Sequence, residues 1–345
     1  MRASFKATLA TLSLATLAFA ATTATAKVAG DYVYTGSIDL GAPGHWDYAT
    51  FDAKGDRLYV GHDNKITVVD IAARKVVGDV GPLDEAHGAA IAPALNRGFA
   101  TSGGDGMLNE FDLTTLKIVK AIPIEKDADG VIFDPGAGVV LVAAGDAKQL
   151  VIVDAAQGAV THKVDLPGAP EFLAADGHGK AFVNLASTGQ LAKVDIASGK
   201  IDAVWALPGC KSPHGLAYDH HTGRLFSGCA NKVLMVVNPD SGAVVTTLPI
   251  GPYSDAVVVD EARGRVLVPN GDGTMTVVGE APGDAYSVIR TFPTFLGARS
   301  MAVDPRSGDL YVTYGNIQIK MGPEGPRALS FVWDAAKSAL FSPND

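Results

Sequence analysis

The chain has 345 residues, of which 47% are hydrophobic, and 39 Gly and 19 Pro punctuate it so often that no stretch of helical periodicity organises a domain. That composition points to an all-β globular protein. With 28 basic against 37 acidic residues the net charge is −9, which opposes phosphate backbones and makes nucleic acid an unlikely partner on electrostatic grounds.

In chain order, residues 1–26 stand apart. Arg2 and Lys6 precede an apolar, small-residue run over 7–20, and Ala24-Thr25-Ala26 supplies an Ala-x-Ala cleavage site. The pattern predicts a secretory signal peptide, because the run is too short to span about 30 Å of hydrocarbon. Cleavage removes two basic residues and no acidic one, taking the charge from −9 to −11. The expected product is a single domain over 27–345, periplasmic or secreted, monomeric, with no membrane span.

Residues 34–40 follow and read as a strand similar to 75–80. Then one phrase returns seven times: FDAKGDRLYV, IAPALNRGFA, FDPGAGVVLV, AADGHGKAFV, YDHHTGRLFS, VDEARGRVLV and VDPRSGDLYV. Aligned on Asp52, Ala92, Asp134, Asp176, Asp219, Asp260 and Asp304, the steps are 40, 42, 42, 43, 41 and 44 residues. A period near forty with several short strands per unit predicts a seven-bladed β-propeller of four-stranded antiparallel blades.

Within a unit, the innermost strand precedes the aligned position and the second follows a basic residue. The third ends at Asp70, Asp112, Asp154, Asp195 or Asn238, and a Gly-containing turn leads to the fourth. These repeated strand-end residues are expected to accept backbone hydrogen bonds in Asx turns. For ring closure, the seventh unit is expected to take its third strand from 329–333 and its fourth from the N-terminal strand, with 335–341 competing for that last slot. A longer surface loop is expected over 314–327.

The phrases RLFSGCANKVLMVVN, GDGTMTVV and DPRSGDLYV resemble the YVTN-repeat, YncE-like family of exported bacterial propellers over essentially the whole mature chain. The resemblance implies a periplasmic binding propeller. The family is a binding scaffold first, so the fold follows more directly than the function.

Five places before each aligned position stand Asp47, His87, Asp129, Glu171, His214, Asp255 and Arg299, all ionisable although only 19% of the chain is charged. Sevenfold arrangement places them around one mouth of the central channel, where loops on a rigid scaffold build binding sites. A hydrated mouth also accounts for polar residues without any ligand. Hairpins returning to that face carry Asp63, Asp105, Asp146, Asp272 and His62, with His45 and Trp46 nearby. His178, His220, His221 and His162 are assigned to solvent-facing turns and an outer strand.

Two imidazoles with carboxylates match the preferences of a divalent metal, and His87, His214 and Glu171 are the expected ligands, although no short-range ligand motif is present. An enzyme reading uses the same residues: Glu171 or His214 as acid or base and Arg299 on an anionic group, by similarity to lactonase and cyclase propellers acting on carboxylated substrates. The local phrases APEFLA, SPHGLA and GARSMA reproduce no motif of that group. Covalent haem, phosphate-loop and nucleophile-elbow motifs are absent from the sequence. Cys210 and Cys229 are expected to form one disulfide in an oxidising compartment. The reading is recognition of a small polar or metal-associated ligand, or of an envelope protein, in preference to turnover. A pure protein-interaction scaffold is the further alternative.

Overall fold

A computed structural model describes residues 32–41, 45–317 and 333–343. The expected signal peptide, and most of the loop expected over 314–327, lie outside the described residues.

The strands form seven four-stranded antiparallel sheets. Blade 1 runs Trp46–Asp52, Arg57–His62, Lys65–Asp70 and Lys75–Val80 from the axis outwards, and each following blade repeats that order. Burial explains the residue choice along a blade. The second strand of blade 3, Val139–Ala144, is buried throughout because both its faces meet neighbouring sheets, so it is continuously apolar. The outer strand Lys75–Val80 alternates exposed and half-buried positions up to the buried Val80, as a sheet edge facing solvent does.

The core lies between blades rather than within one. Leu141 and Ile152 of blade 3 pack with Val183 and Val194 of blade 4, and each such aliphatic side chain contributes about 1.5–3 kcal/mol on burial. Strand-end residues act as turn acceptors: Asp70 Oδ1 takes the Ala73 N–H at 2.7 Å, Asp154 Oδ1 the Gln157 N–H at 2.8 Å, and Asn238 Oδ1 the Asp240 N–H at 2.9 Å.

Blade 7 differs in one strand from expectation. Its order from the axis is Ser300–Val303, Leu310–Ile317, Trp333–Pro343 and Tyr32–Asp39. The described third strand is Trp333–Pro343, so residues 335–341 occupy the third slot without competing for the fourth, while most of the 329–333 stretch expected there lies outside the described residues. The N-terminal strand closes the ring, pairing Tyr32 with Pro343 and Asp39 with Lys337. Tyr32 stacks on Phe292 of blade 6 at 5.6 Å between ring centroids, so both ends of the described chain are tied into one ring of blades. No helix among the described residues is long and apolar enough to cross a membrane, which does not bear on spans made of strands.

Candidate functional site

Local backbone geometry aims one side chain per blade at the channel mouth. Two places before the ring position, Glu85, Asp127, Ser212, Tyr253 and Gly297 all have positive φ, between 49° and 79°. In blades 1, 3, 4 and 5 the ring residue then falls inside a register shift of the innermost strand, between Trp46/Ala49, Ala128/Val131, Pro170/Leu173 and Pro213/Leu216. A bulge turns a side chain out of the regular pleat, so the repeat carries a built-in device for pointing residues 47, 129, 171 and 214 away from the sheet. Gly follows where neighbouring strands crowd the axis: a Cβ on Gly215 would lie 2.6 Å from the Ala256 carbonyl carbon.

The ring residues meet across blade boundaries and form two imidazole centres. His87 Nδ1 donates to Asp47 Oδ2 at 2.7 Å and faces Asp129 Oδ1 at 3.3 Å. Three blades on, His214 Nδ1 lies 3.2 Å from Glu171 Oε1 and 3.2 Å from Asp255 Oδ1. Arg299 Nε closes the series on Asp255 Oδ2 at 2.6 Å.

The centres differ at the far nitrogen. His214 Nε2 is 3.0 Å from Ser212 Oγ. His87 Nε2 has no hydrogen-bond partner among the described residues and lies beside Gly103, where a Cβ would come within 3.0 Å of it.

Burial opposes charge on both imidazoles, yet their carboxylates outweigh it. The hydrogen bond to Asp47 and the charge of Asp129 hold His87 up at about 9. Asp255 and Glu171 hold His214 up at about 10. Burial also pushes the Asp129 carboxyl well above its ordinary value, with repulsion from Asp47 adding to it and His87 opposing it; Asp47 moves up for the same first reason. These directions compete for one proton. Of the two carboxylate contacts to His87, that to Asp47 at 2.7 Å is the shorter.

A cavity of about 480 Å³ opens beside the first centre, lined by His45, Trp46, Asp47, Asp63, Glu85, His87, Asp127 and Arg299. Trp46 stacks on His62 with centroids 3.8 Å apart, and its buried Nε1 has no hydrogen-bond partner among the described residues. Beneath the ring, Tyr48 packs on Phe172 at 4.7 Å. Burial first, then Asp129, Asp47, Glu171 and Asp255, raise its phenol well above the ordinary value, so it stays a neutral hydroxyl. Phe172 also lines a second cavity of about 250 Å³ further along the channel, with Phe133, Tyr218 and His220.

The structure brings all seven sequence-selected residues into these contacts but divides the expected metal trio: His87 belongs with Asp47 and Asp129, whereas His214 takes Glu171. Of the hairpin residues, Asp63 reaches the cavity, where its Oδ1 accepts the His45 N–H at 2.7 Å. Asp272 serves its own turn, accepting from the Thr274 hydroxyl at 2.7 Å. His220, assigned to solvent, is exposed as expected, and there it lies 2.9 Å from Glu261 at the edge of the second cavity. Glu85, Asp127, Ser212, Tyr48 and Phe172 were missed. Glu85, Asp127 and Ser212 carry a signal in the sequence, since each sits two places before a ring residue. Cys210 and Cys229 form a disulfide with Cα atoms 5.4 Å apart.

No protein-family model matches the chain, and no curated protein matches it. Its likeness is to solved propeller structures. One, a chain titled Kuenenia stuttgartiensis Hydrazine Synthase, superposes with a TM-score of 0.68 at 15% identity, covering 82% of this chain and 96% of that one. At that identity the likeness shows the fold alone. As 1798 solved chains match, shape does not single out an activity.

Proposed function

We propose that this protein is an exported, YVTN-type binding propeller that recognises a small polar ligand at the channel mouth through Asp47, His87, Asp129, Glu171, His214, Asp255 and Arg299. The observation that carries this reading is the joining of these side chains, one from each blade, into charge-paired centres beside a cavity of about 480 Å³. That volume is within the range of ordinary small-molecule sites, about 300–1,000 Å³. Export is supported by the leader-like residues 1–26 and by the Cys210–Cys229 disulfide, a bond that persists in oxidising compartments.

Native mass spectrometry of the purified mature protein, with untargeted identification of released molecules, tests this reading. A copurifying small molecule is expected, and Glu171→Gln and Arg299→Ala should reduce it without unfolding the chain. A partner protein retained equally by those variants, with no small molecule, would refute it.

That outcome is the second reading, an envelope protein partner. It is favoured by Tyr253 and Leu296, exposed at 65% and 51% on the loops that also carry Asp255 and Arg299.

A further inference from the structure

The geometry points to a divalent transition-metal site of the Zn²⁺ and Mn²⁺ class formed by Asp47, His87 and Asp129, three side chains from successive blades. It deepens the reading of the mouth as a binding site and rests on it. One ligand atom from each residue lies within 4.8 Å of the others. The nitrogen-to-oxygen separations are 2.7 and 3.3 Å, both converging on His87 Nδ1. A metal holding such ligands at about 2.0–2.2 Å keeps them roughly 3–3.5 Å apart, so small side-chain adjustments close the three on an ion, which replaces the Nδ1 proton.

The twin centre shows why the ion belongs here and not there. His214 has the same two-carboxylate surround, but Arg299 already supplies a cation to Asp255 at 2.6 Å and Ser212 occupies Nε2. Among the described residues no Lys or Arg forms an ion pair with Asp47 or Asp129. Taken together the ring sets four carboxylates (Asp47, Asp129, Glu171, Asp255) against three nitrogen bases (His87, His214, Arg299), and Asp63, Glu85 and Asp127 add further negative charge to the cavity wall. Apart from His87 itself, no side-chain cation among the described residues is paired with the two carboxylates of the first centre, so an ion there faces less competition than at the second.

The donor set narrows the ion. An imidazole with two carboxylates suits cations that accept both nitrogen and oxygen donors, such as Zn²⁺ and Mn²⁺, whereas Ca²⁺ prefers oxygen alone. Asp47 and His87 both line the large cavity, so water or a polar ligand group can complete the coordination, as at metal sites with only three protein ligands.

The test is calorimetric titration of chelator-treated, full-length mature protein with Zn²⁺ and separately Mn²⁺, alongside Co²⁺ absorption in the visible. One equivalent per chain is expected. His87→Ala and Asp129→Asn should weaken binding by at least about tenfold, the lower end of what disturbing even the outer shell of a metal site costs, and should change the Co²⁺ bands. Asp129→Asn preserves shape if His87→Ala melts early. His220→Asn, on the opposite face, controls for adventitious surface binding. Absence of uptake of either ion by folded wild type overturns the site. So does undiminished uptake by both variants, or an equal loss on His214→Asn. These failures leave the small-ligand reading standing, because that is judged on copurifying organic molecules.

Discussion

The Asp255 carboxylate is shared: its Oδ2 lies 2.6 Å from Arg299 Nε and its Oδ1 lies 3.2 Å from His214 Nδ1. One side chain thereby ties blade 5 to the loop entering blade 7. Asp255 is buried while Arg299 is half-exposed, and this asymmetry decides which truncation is worse.

Asp255→Ala should cost about 1–3 kcal/mol, because it strands two cationic groups that have lost their acceptor. Arg299→Ala should cost less, since the buried Asp255 carboxylate then keeps His214 as a partner, whereas Asp255→Ala leaves both cations without their shared acceptor. Urea denaturation of both variants measures the order; equal losses would contradict the shared-carboxylate account.

Alkaline pH should destabilise the protein through His214. Its folded value is raised to about 10, above the unfolded value of about 6.5. The stabilisation is therefore complete below about pH 6.5 and is lost as pH rises towards 10. The groups facing it are Glu171, Asp255 and Ser212, with Arg299 behind Asp255. A contribution of roughly 2–4 kcal/mol follows after allowance for partial solvent screening. His214→Gln should flatten the decline between pH 6.5 and 10 in denaturant titrations, and a curve parallel to wild type would sink the assignment.

Reducing the disulfide should weaken blade 5. The bond joins cysteines 19 residues apart, and closing a loop of that size constrains the unfolded chain by about 3 kcal/mol. Cys210→Ser, Cys229→Ser and the double variant should all lose about the same amount, since either change breaks the one bond. Additive losses would show that the thiols matter through packing instead.

Gly215→Ala should destabilise by about 1–3 kcal/mol, the usual cost of overpacking, because the new methyl meets the Ala256 backbone at 2.6 Å. It should also disturb His214, its neighbour in the chain. Gly138→Ala is a useful contrast: a Cβ there has open space, although φ is +69°. Its cost comes from backbone strain alone and should leave the mouth unaffected. A melting curve for each, with the pH response of the first, separates the two causes.

The sevenfold repeat was legible because each blade must bury the same faces against its neighbours, which imposes the same apolar pattern every forty or so residues. Register transfers with it, so counting back five places found Asp47 through Arg299 without coordinates. The last blade was harder to read. Its described third strand is Trp333–Pro343, beyond an insertion that breaks the spacing, so periodicity did not assign 335–341 to that slot.

What the amino-acid order determined by itself was the number of blades, the expectation of one cysteine pair and the seven positions selected for one rim; which terminal segment closes the ring was settled by the strand order. Those follow from local patterning repeated about an axis. Only the tertiary structure decided that His87 sits with Asp47 and Asp129, that His214 sits with Glu171 and Asp255, and that Arg299 completes the second group and not the first. The reason is physical: these contacts cross blade boundaries over 40 or more residues of chain, and bulges in the innermost strands set their angles, so no spacing in the linear sequence encodes which neighbour each side chain meets.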